Sequence, residues 1–188
     1  MPKQRNATVR RRQIAEATTR LAALNRRFCE TVEQRSDDYA SARDAFFNLF
    51  DQLAFPGGLA KRLQELSQQN PEAVEDSICF LEVDPSFFRS GYIKEKILHR
   101  LRHCPITPGQ HKRLMQCILR SIERGPRRVF AAYARAAGAH PTAALLAAIE
   151  FRLDSPDAEV RRRSSHLLAV TRSRTAGRNA DKAEPHGT

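Results

Sequence analysis

The chain has 188 residues, a formal net charge of +11, 41 % apolar residues, 8 glycines and no tryptophan. This length suits about one domain, the apolar content argues against wholesale disorder, and the scarcity of β-branched residues favours helices over sheets. No stretch of 18 apolar residues is present, which excludes a membrane-spanning helix, and no apolar run follows the charged start. With four widely spaced cysteines and no C-x-x-C pair, we expect a cytoplasmic protein with free thiols.

The first 54 residues predict a basic leader followed by a helical hairpin. Residues 1–12 are polar and include the run Arg10-Arg11-Arg12, so we expect a flexible leader, acting either as a basic arm or as a plain polar segment. Apolar residues recur every three or four positions over residues 13–54, which predicts two amphipathic helices. The proline and glycines of residues 55–58 predict a break after this hairpin.

Proline residues mark predicted helix starts over residues 59–171, where the apolar spacing of three and four continues. A capping side chain directly before proline is typical of a helix N-terminus. This pairing occurs at Asn70-Pro71, Asp84-Pro85, Thr107-Pro108 and Ser155-Pro156, and weaker caps precede Pro126 and Pro141. Thr107 and Gln110 also have the spacing of a capping box. We therefore predict an all-α fold of about nine short helices, followed by a disordered tail over residues 172–188.

The spacing of these starts favours stacked helix pairs. Alternate prolines stand 30 to 41 residues apart, which is the length of a helical-hairpin repeat. The segment Ser155-Pro156-Asp157-Ala158-Glu159-Val160-Arg161 resembles the start of a HEAT-type helix, and the likeness extends over residues 71–171. The resemblance implies an irregular α-solenoid, and we expect a helical-repeat-like domain over residues 59–171. A helical bundle built on the N-terminal hairpin is the alternative, and both stay open here.

Positive charge is concentrated between residues 89 and 128, which carry 11 Lys and Arg but 2 Asp and Glu. On helical wheels, the cations of two successive predicted helices fall on one flank beside the apolar stripe. We predict that they form an anion-binding face for nucleic acid, with one tyrosine as a stacking surface. Its members are Arg89, Tyr92, Lys96, Arg100, His103, Arg113, Arg120, Arg124, Arg127 and Arg128. The alternative is a solvated face that pairs with residues 36–88, which carry 10 acidic and 3 basic side chains.

Metal and catalytic patterns are weak in this sequence. His99 and His103 are four residues apart, but Cys104 falls on the apolar side of the wheel, so one tetrahedral zinc site does not gather them. We expect no metal and no cofactor, and we expect Cys29, Cys79, Cys104 and Cys117 to be core residues. The sequence has no glycine-rich phosphate loop, no H-E-x-x-H and no G-x-S-x-G, so no enzyme class is indicated.

Three functions fit these features. The leading hypothesis is a non-enzymatic helical scaffold that binds nucleic acid, or else an acidic protein surface, through the basic face of the helices at 85–128. The second is a protein–protein interaction module in which the amphipathic helices of residues 13–54 pair with another chain, including a second copy. The third is a helical-repeat nucleic-acid enzyme, which rests on analogy of architecture. No membrane partner is expected.

Overall fold

A computed structural model describes residues 2–34, 37–124 and 127–183, with side chains over residues 7–34, 37–124 and 128–173. In this part of the chain the backbone forms nine α-helices, one 3-10 helix and no strand. The helices are α1 (Pro2–Glu33), α2 (Tyr39–Ala54), α3 (Leu59–Ser67), α4 (Pro71–Val83), α5 (Ser90–Leu101), α6 (Pro108–Arg124), α7 (Arg127–Ala139), α8 (Ala143–Glu150), the 3-10 helix (Phe151–Asp154) and α9 (Ala158–Ala183). The predicted all-α class is confirmed.

The chain divides into two compact units, residues 1–97 and residues 98–188. In the first unit, α1 packs against both α2 and α4, and α3 contacts α2 and α4. Its core includes Leu21, Phe46, Phe55 and Phe80, which are fully buried. The predicted boundary between a hairpin at 13–54 and a domain at 59–171 is corrected, because α1 is held by α4 as well as by α2.

The second unit is organised around α7 and α9. These two helices pack together, α6 packs against α7, and both α8 and the 3-10 helix contact α9. Leu114, Ile118, Leu145, Ile149 and Leu167 are buried in this unit. The named residues of α6 and of α8 are four positions apart, which is the spacing expected of a buried helical stripe.

The predicted flexible leader over residues 1–12 is also corrected, since α1 begins at Pro2. Two cations of this segment, Arg10 and Arg11, dock it onto α4. Arg10 pairs with Asp76, whose side chain is 2 % exposed, and Arg11 Nη1 lies 3.2 Å from Glu82 Oε2. Arg62 Nε lies 3.3 Å from the second carboxylate oxygen of Asp76. The hypothesis of a free basic arm therefore fails for Arg10 and Arg11, because carboxylates of the same unit engage both.

Two of the predicted helix caps are confirmed in detail. Asn70 Oδ1 accepts hydrogen bonds from the backbone N–H of Glu72 and Ala73, at 2.9 and 3.2 Å. Thr107 and Gln110 form the reciprocal capping box, in which the Thr107 N–H donates to Gln110 Oε1 at 2.9 Å and the Gln110 N–H donates to Thr107 Oγ1 at 3.3 Å. These bonds satisfy N–H groups that have no partner within the first turn of a helix.

Two other predicted starts are misplaced. Asp84 ends α4 in a left-handed conformation with φ of 51°, and its carboxylate accepts from Lys94 of α5. The next helix begins at Ser90, so Asp84-Pro85 is not a helix start. The cap of α9 is Asp157 rather than Ser155, because Asp157 Oδ1 accepts from the backbone N–H of Glu159 at 2.8 Å. The predicted start at Pro126 lies outside the described residues.

The C-terminal prediction is corrected as well. Helix α9 continues to Ala183, so residues 172–183 are helical, and Arg172 Nη2 lies 2.6 Å from Glu150 Oε1. Residues 184–188 of the predicted tail lie outside the described residues.

Cys29 is exposed, contrary to the prediction of a core residue, whereas the other three cysteines are buried. No helix in the described part of the chain is long and apolar enough to cross a membrane.

Candidate nucleic-acid interface

Nearly all of the net charge belongs to the second unit. Residues 98–188 contain 17 of the 32 Lys and Arg residues but 7 of the 21 Asp and Glu residues, which gives a formal charge of +10. Residues 1–97 contain the remaining 15 basic and 14 acidic residues, which gives +1. The acidic segment 36–88 is wholly within the first unit. A strong positive field is therefore a property of the second unit.

The predicted basic face is divided between the two units. Arg89, Tyr92 and Lys96 belong to the first unit, and the other seven members belong to the second. The side chain of Arg127 lies outside the described residues. In the first unit, Arg89 has a φ of 64° and its guanidinium carbon lies 5.1 Å from the centre of the Phe88 ring. The candidate site described below is the part of the face that the second unit contributes.

The end of α5 brings a dense group of basic side chains together. The helix ends at Leu101, so His103 lies in the following turn rather than on the helical flank predicted for it. Arg102 Nη2 lies 2.7 Å from His99 Nδ1, and Arg102 Nε donates to the His99 carbonyl oxygen at 3.3 Å. The rings of His99 and His103 are 6.2 Å apart in an edge-to-face arrangement.

The pKa of His99 is lowered, first by partial burial and then by the charges of Arg102, His103, Arg100 and Arg135. An added proton on His99 is disfavoured by the same positive field that would stabilise a bound anion. Sequence reasoning did not single out Arg102 or Arg135. The wheel failed for Arg102 because the helix ends before it. Arg135 stands seven residues after Arg128, and this spacing places both on one face of α7. The same spacing could have identified Arg135 from the sequence.

Helix α6 carries three members of the predicted face beside its buried side. Its buried face consists of Leu114, Cys117, Ile118, Ser121 and Ile122. Arg113 and Arg120 are half-buried beside this face, and Arg124 is exposed. Arg120 Nη2 lies 3.8 Å from the sulfur of Cys117. The aliphatic stems of the stripe thus border the apolar face, as is usual for long basic side chains.

Two histidines fix the arrangement of α6, α7 and the end of α5. His111 Nε2, near the start of α6, donates to the carbonyl oxygen of His140 just after α7, at 3.0 Å. His140 Nε2 in turn donates to the carbonyl oxygen of Leu101, the last residue of α5, at 3.0 Å. Because α6 and α7 also pack together and only two residues separate them in the chain, they run antiparallel. Arg135 therefore belongs to the half of α7 nearer the end of α5, and Arg128 to the half nearer the end of α6.

Three carboxylates of the second unit pair with arginines of its C-terminal helices. Glu123 pairs with Arg152 at 2.9 Å, and Glu150 pairs with Arg172 at 2.6 Å. Glu159 accepts hydrogen bonds from two arginines of α9, and the bond from Arg162 is the main cause that lowers its pKa to about 2. These three acidic residues thus form ion pairs with arginines that lie in α9 or in the 3-10 helix before it.

The acidic segment 36–88 was predicted, as an alternative, to neutralise the basic face. Its described ion pairs include those of Asp76 and Glu82 with Arg10 and Arg11 of α1, and that of Asp84 with Lys94. Lys94 lies within residues 89–128 but was not a member of the predicted face. Two acidic residues of this segment, Asp76 and Glu82, therefore hold α1 against α4.

Among the described residues, no group of three or more His, Cys, Asp or Glu side chains is placed to hold a metal ion. Cys104 is buried, and burial raises the pKa of its thiol. Its sulfur lies 3.4 Å from the carbonyl oxygen of Arg100. Cys104 therefore packs as a core residue rather than as a reactive thiolate.

No protein-family model matches the chain, and neither a curated protein nor a solved structure shows a match to it. The HEAT-like resemblance over residues 71–171 stays a prediction. Function is accordingly inferred from charge and geometry.

Proposed function

We propose that this protein is a non-enzymatic helical scaffold that binds nucleic acid through its second unit. The observation that carries the proposal is the charge of +10 on residues 98–188, with basic side chains on α6, on α7 and at the end of α5. We refer to this set as the α5–α7 basic surface. Its members are Arg100, Arg102, His103, Arg113, Arg120, Arg124, Arg128 and Arg135.

The dimensions of this surface suit a phosphate backbone. Arg113 and Arg124 are eleven residues apart on one helix, which corresponds to about 16 Å. A nucleic-acid strand in a duplex advances about 3.4 Å per phosphate, so that length spans about five phosphates. Each phosphate that a cation neutralises releases condensed counterions, and this release drives binding. Several contacts along α6 and α7 would therefore give an affinity that falls steeply with salt.

The proposed binding is largely independent of base sequence. Arginine contacts to phosphates position a protein on nucleic acid, whereas sequence is read by contacts to base edges. The aromatic residue of the predicted face, Tyr92, belongs to the first unit, so stacking on it is not part of this proposal.

We further propose that the protein acts in the cytoplasm, because its four cysteines are free thiols, as is usual in a reducing compartment.

The proposal is tested by measuring oligonucleotide binding over a salt series with two charge-matched triple variants. The first variant changes three exposed arginines of the second unit, Arg124→Ala, Arg128→Ala and Arg135→Ala. The control changes three exposed arginines of α1, Arg20→Ala, Arg26→Ala and Arg27→Ala. The net charge falls by the same amount in both variants, so any difference between them reports the position of the charges rather than their number.

We expect fluorescence anisotropy to show that wild-type affinity for a mixed-sequence oligonucleotide falls steeply as salt rises. The first variant should bind at least about tenfold more weakly at low salt. Its plot of log K against log salt should be shallower by up to about 0.9 for each phosphate that the variant no longer neutralises. The control should keep the wild-type slope. Absence of binding at low salt, or equal weakening in the two variants, would refute a site on the second unit.

A further inference from the structure

The first unit exposes a contiguous group of large apolar side chains, which we call the aromatic patch. Its members are Val32, Tyr39, Phe47 and Phe88, which are 39–49 % exposed. Phe47 and Phe88 both contact the buried ring of Phe46, at centroid distances of 5.2 and 5.9 Å. Tyr39 and Phe47 both contact Phe28, at 5.6 and 6.2 Å. Val32 follows Phe28 by four residues, one turn of α1. Shared neighbours thus join the members of the patch into one surface.

Single exposed apolar residues are ordinary on a protein surface, but a contiguous group usually marks an interaction site. Phe46 and Phe47 are adjacent on α2 and point to different sides of it, because successive residues of a helix are 100° apart. Phe46 is buried and supplies the core, whereas Phe47 is left half-exposed. Part of the apolar surface of α2 is therefore exposed and is not covered by other residues of the first unit.

Charge is distributed unequally along the patch. Arg89 lies over the ring of Phe88 at one end, with its guanidinium carbon 5.1 Å from the ring centre. Two exposed carboxylates, Glu33 and Asp37, neighbour Val32 and Tyr39 in the chain at the other end. Arg43 also lies over Tyr39, but it pairs with Asp44 at 2.9 Å, so these two charges offset each other. Arg89 therefore adds a positive charge at the Phe88 end, and Glu33 and Asp37 add negative charges at the Tyr39 end.

We propose that the aromatic patch is the interface of a two-fold symmetric dimer between two copies of this chain. A two-fold axis near Phe47, in the middle of the patch, exchanges its two ends. Arg89 of one copy then faces the carboxylates of Glu33 and Asp37 on the other copy, twice per dimer, around a desolvated aromatic centre. A phosphate-bearing ligand fits this patch poorly, because the carboxylates at one end would repel it. The inference concerns the first unit alone and does not depend on nucleic-acid binding by the second.

The dimer is tested by sedimentation velocity on the full chain across a concentration series, with Phe47→Asp as the variant. A charged side chain at the centre of a desolvated interface should raise the dimer dissociation constant at least about tenfold. The matched control is Phe151→Asp, since Phe151 is 81 % exposed and belongs to the second unit. We expect this control to dimerise as the wild type does. Circular dichroism establishes that both variants keep the helical fold.

The symmetry of the interface is tested with two charge variants, R89E and the double variant E33R/D37R, which reverses both carboxylates that face Arg89. In a homodimer of either variant, both symmetry-related contacts bring like charges together, so each variant alone should dimerise more weakly than the wild type. In an equimolar mixture, a heterodimer restores opposite charges at both contacts. We therefore expect the mixture to recover dimers that neither variant forms well by itself.

Three results would overturn the proposal. The first is a wild-type chain that stays monomeric at every concentration, which would assign the patch to a different occupant. The second is a dimer with the same dissociation constant in the wild type and in Phe47→Asp. The third is a mixture of the two charge variants that dimerises no better than either variant alone, because the proposed two-fold pairing requires mutual rescue.

Discussion

Arg102 holds the ring of His99 in one protonation state. Its guanidinium group has only donors, so Nδ1 of His99, at 2.7 Å, must accept. A ring that accepts at Nδ1 is neutral and carries its proton on Nε2. Partial burial and the neighbouring cations lower the pKa of His99 further. At neutral pH, the ring of His99 itself therefore adds no positive charge, and the neighbouring Arg100, Arg102 and Arg135 supply attraction for an anion there.

Glu159 has the most strongly shifted carboxyl group described in the second unit. The hydrogen bond from Arg162 is the main cause that lowers its pKa to about 2, from an ordinary value of 4.5. Because the pKa is depressed in the folded state, the stability that Glu159 contributes is complete above its unfolded pKa. That contribution is lost as pH falls from about 4.5 toward about 2.

We predict that an NMR titration of the Glu159 carboxyl carbon gives a pKa near 2, and that Arg162→Ala raises it. The control is Arg161→Ala, because Arg161 donates instead to the carbonyl oxygens of Ser155 and Pro156. This control should leave the pKa of Glu159 almost unchanged. An ordinary carboxyl pKa in the wild type would show that Glu159 is not held by the arginines of α9.

At the scale of elements, the docking of α1 on α4 depends on a buried charge. Asp76 has a side chain that is 2 % exposed, and it lies against Arg10 and Arg62. Burial raises the pKa of Asp76, and the two arginines oppose that effect. Removing one partner of a buried ion pair leaves an uncompensated charge and typically costs about 3–5 kcal/mol. The packing of α1 should therefore be sensitive to Arg10 in particular.

We predict that Arg10→Ala lowers the free energy of unfolding by about 3 kcal/mol, because Asp76 keeps a single cationic neighbour. The matched control is Arg12→Ala on the same helix, where the exposed Arg12 Nε lies 3.3 Å from Glu16 Oε1. An exposed pair of this kind contributes at most about 0.5 kcal/mol. Urea unfolding followed by circular dichroism measures both changes. Equal effects of the two substitutions would contradict the docking of α1 through Arg10.

The elements that the sequence predicted well are those that depend on local contacts. The caps at Asn70 and Thr107 involve bonds to backbone groups two or three residues away. Asp84-Pro85 has the same local pattern, but Asp84 takes a left-handed conformation and binds Lys94 of the next helix. Whether a polar residue before proline starts or ends a helix was decided there by tertiary contact. A single sequence does not contain that information.

The N-terminal leader was mispredicted for a related reason. Arg10 and Arg11 suggested a surplus of positive charge at the start of the chain, and their partners Asp76 and Glu82 lie 66 and 71 residues away. No local pattern links residues so far apart. The candidate site shows the same limit. The stripe on α6 was predicted because one helix contains it, whereas Arg102 lies past the end of α5, where a helical wheel no longer applies.

At the scale of the whole molecule, the division into units changes how the charge is interpreted. Counted along the sequence, residues 89–128 form a basic segment within a chain of net charge +11. The contacts of α1 with α4 place residues 1–97 in a nearly neutral unit and leave +10 on residues 98–188. The strongest argument for a polyanionic ligand thus comes from the fold, because the fold decides which charges share one unit.

The most direct measurement is an NMR titration of the ¹⁵N-labelled full chain with a mixed-sequence oligonucleotide at low salt. We expect the amide shifts to concentrate at the end of α5 and along α6 and α7, while the amides of α1 to α4 keep their positions. Shifts confined to α1 to α4, or none at any oligonucleotide concentration, would contradict a nucleic-acid interface on the second unit.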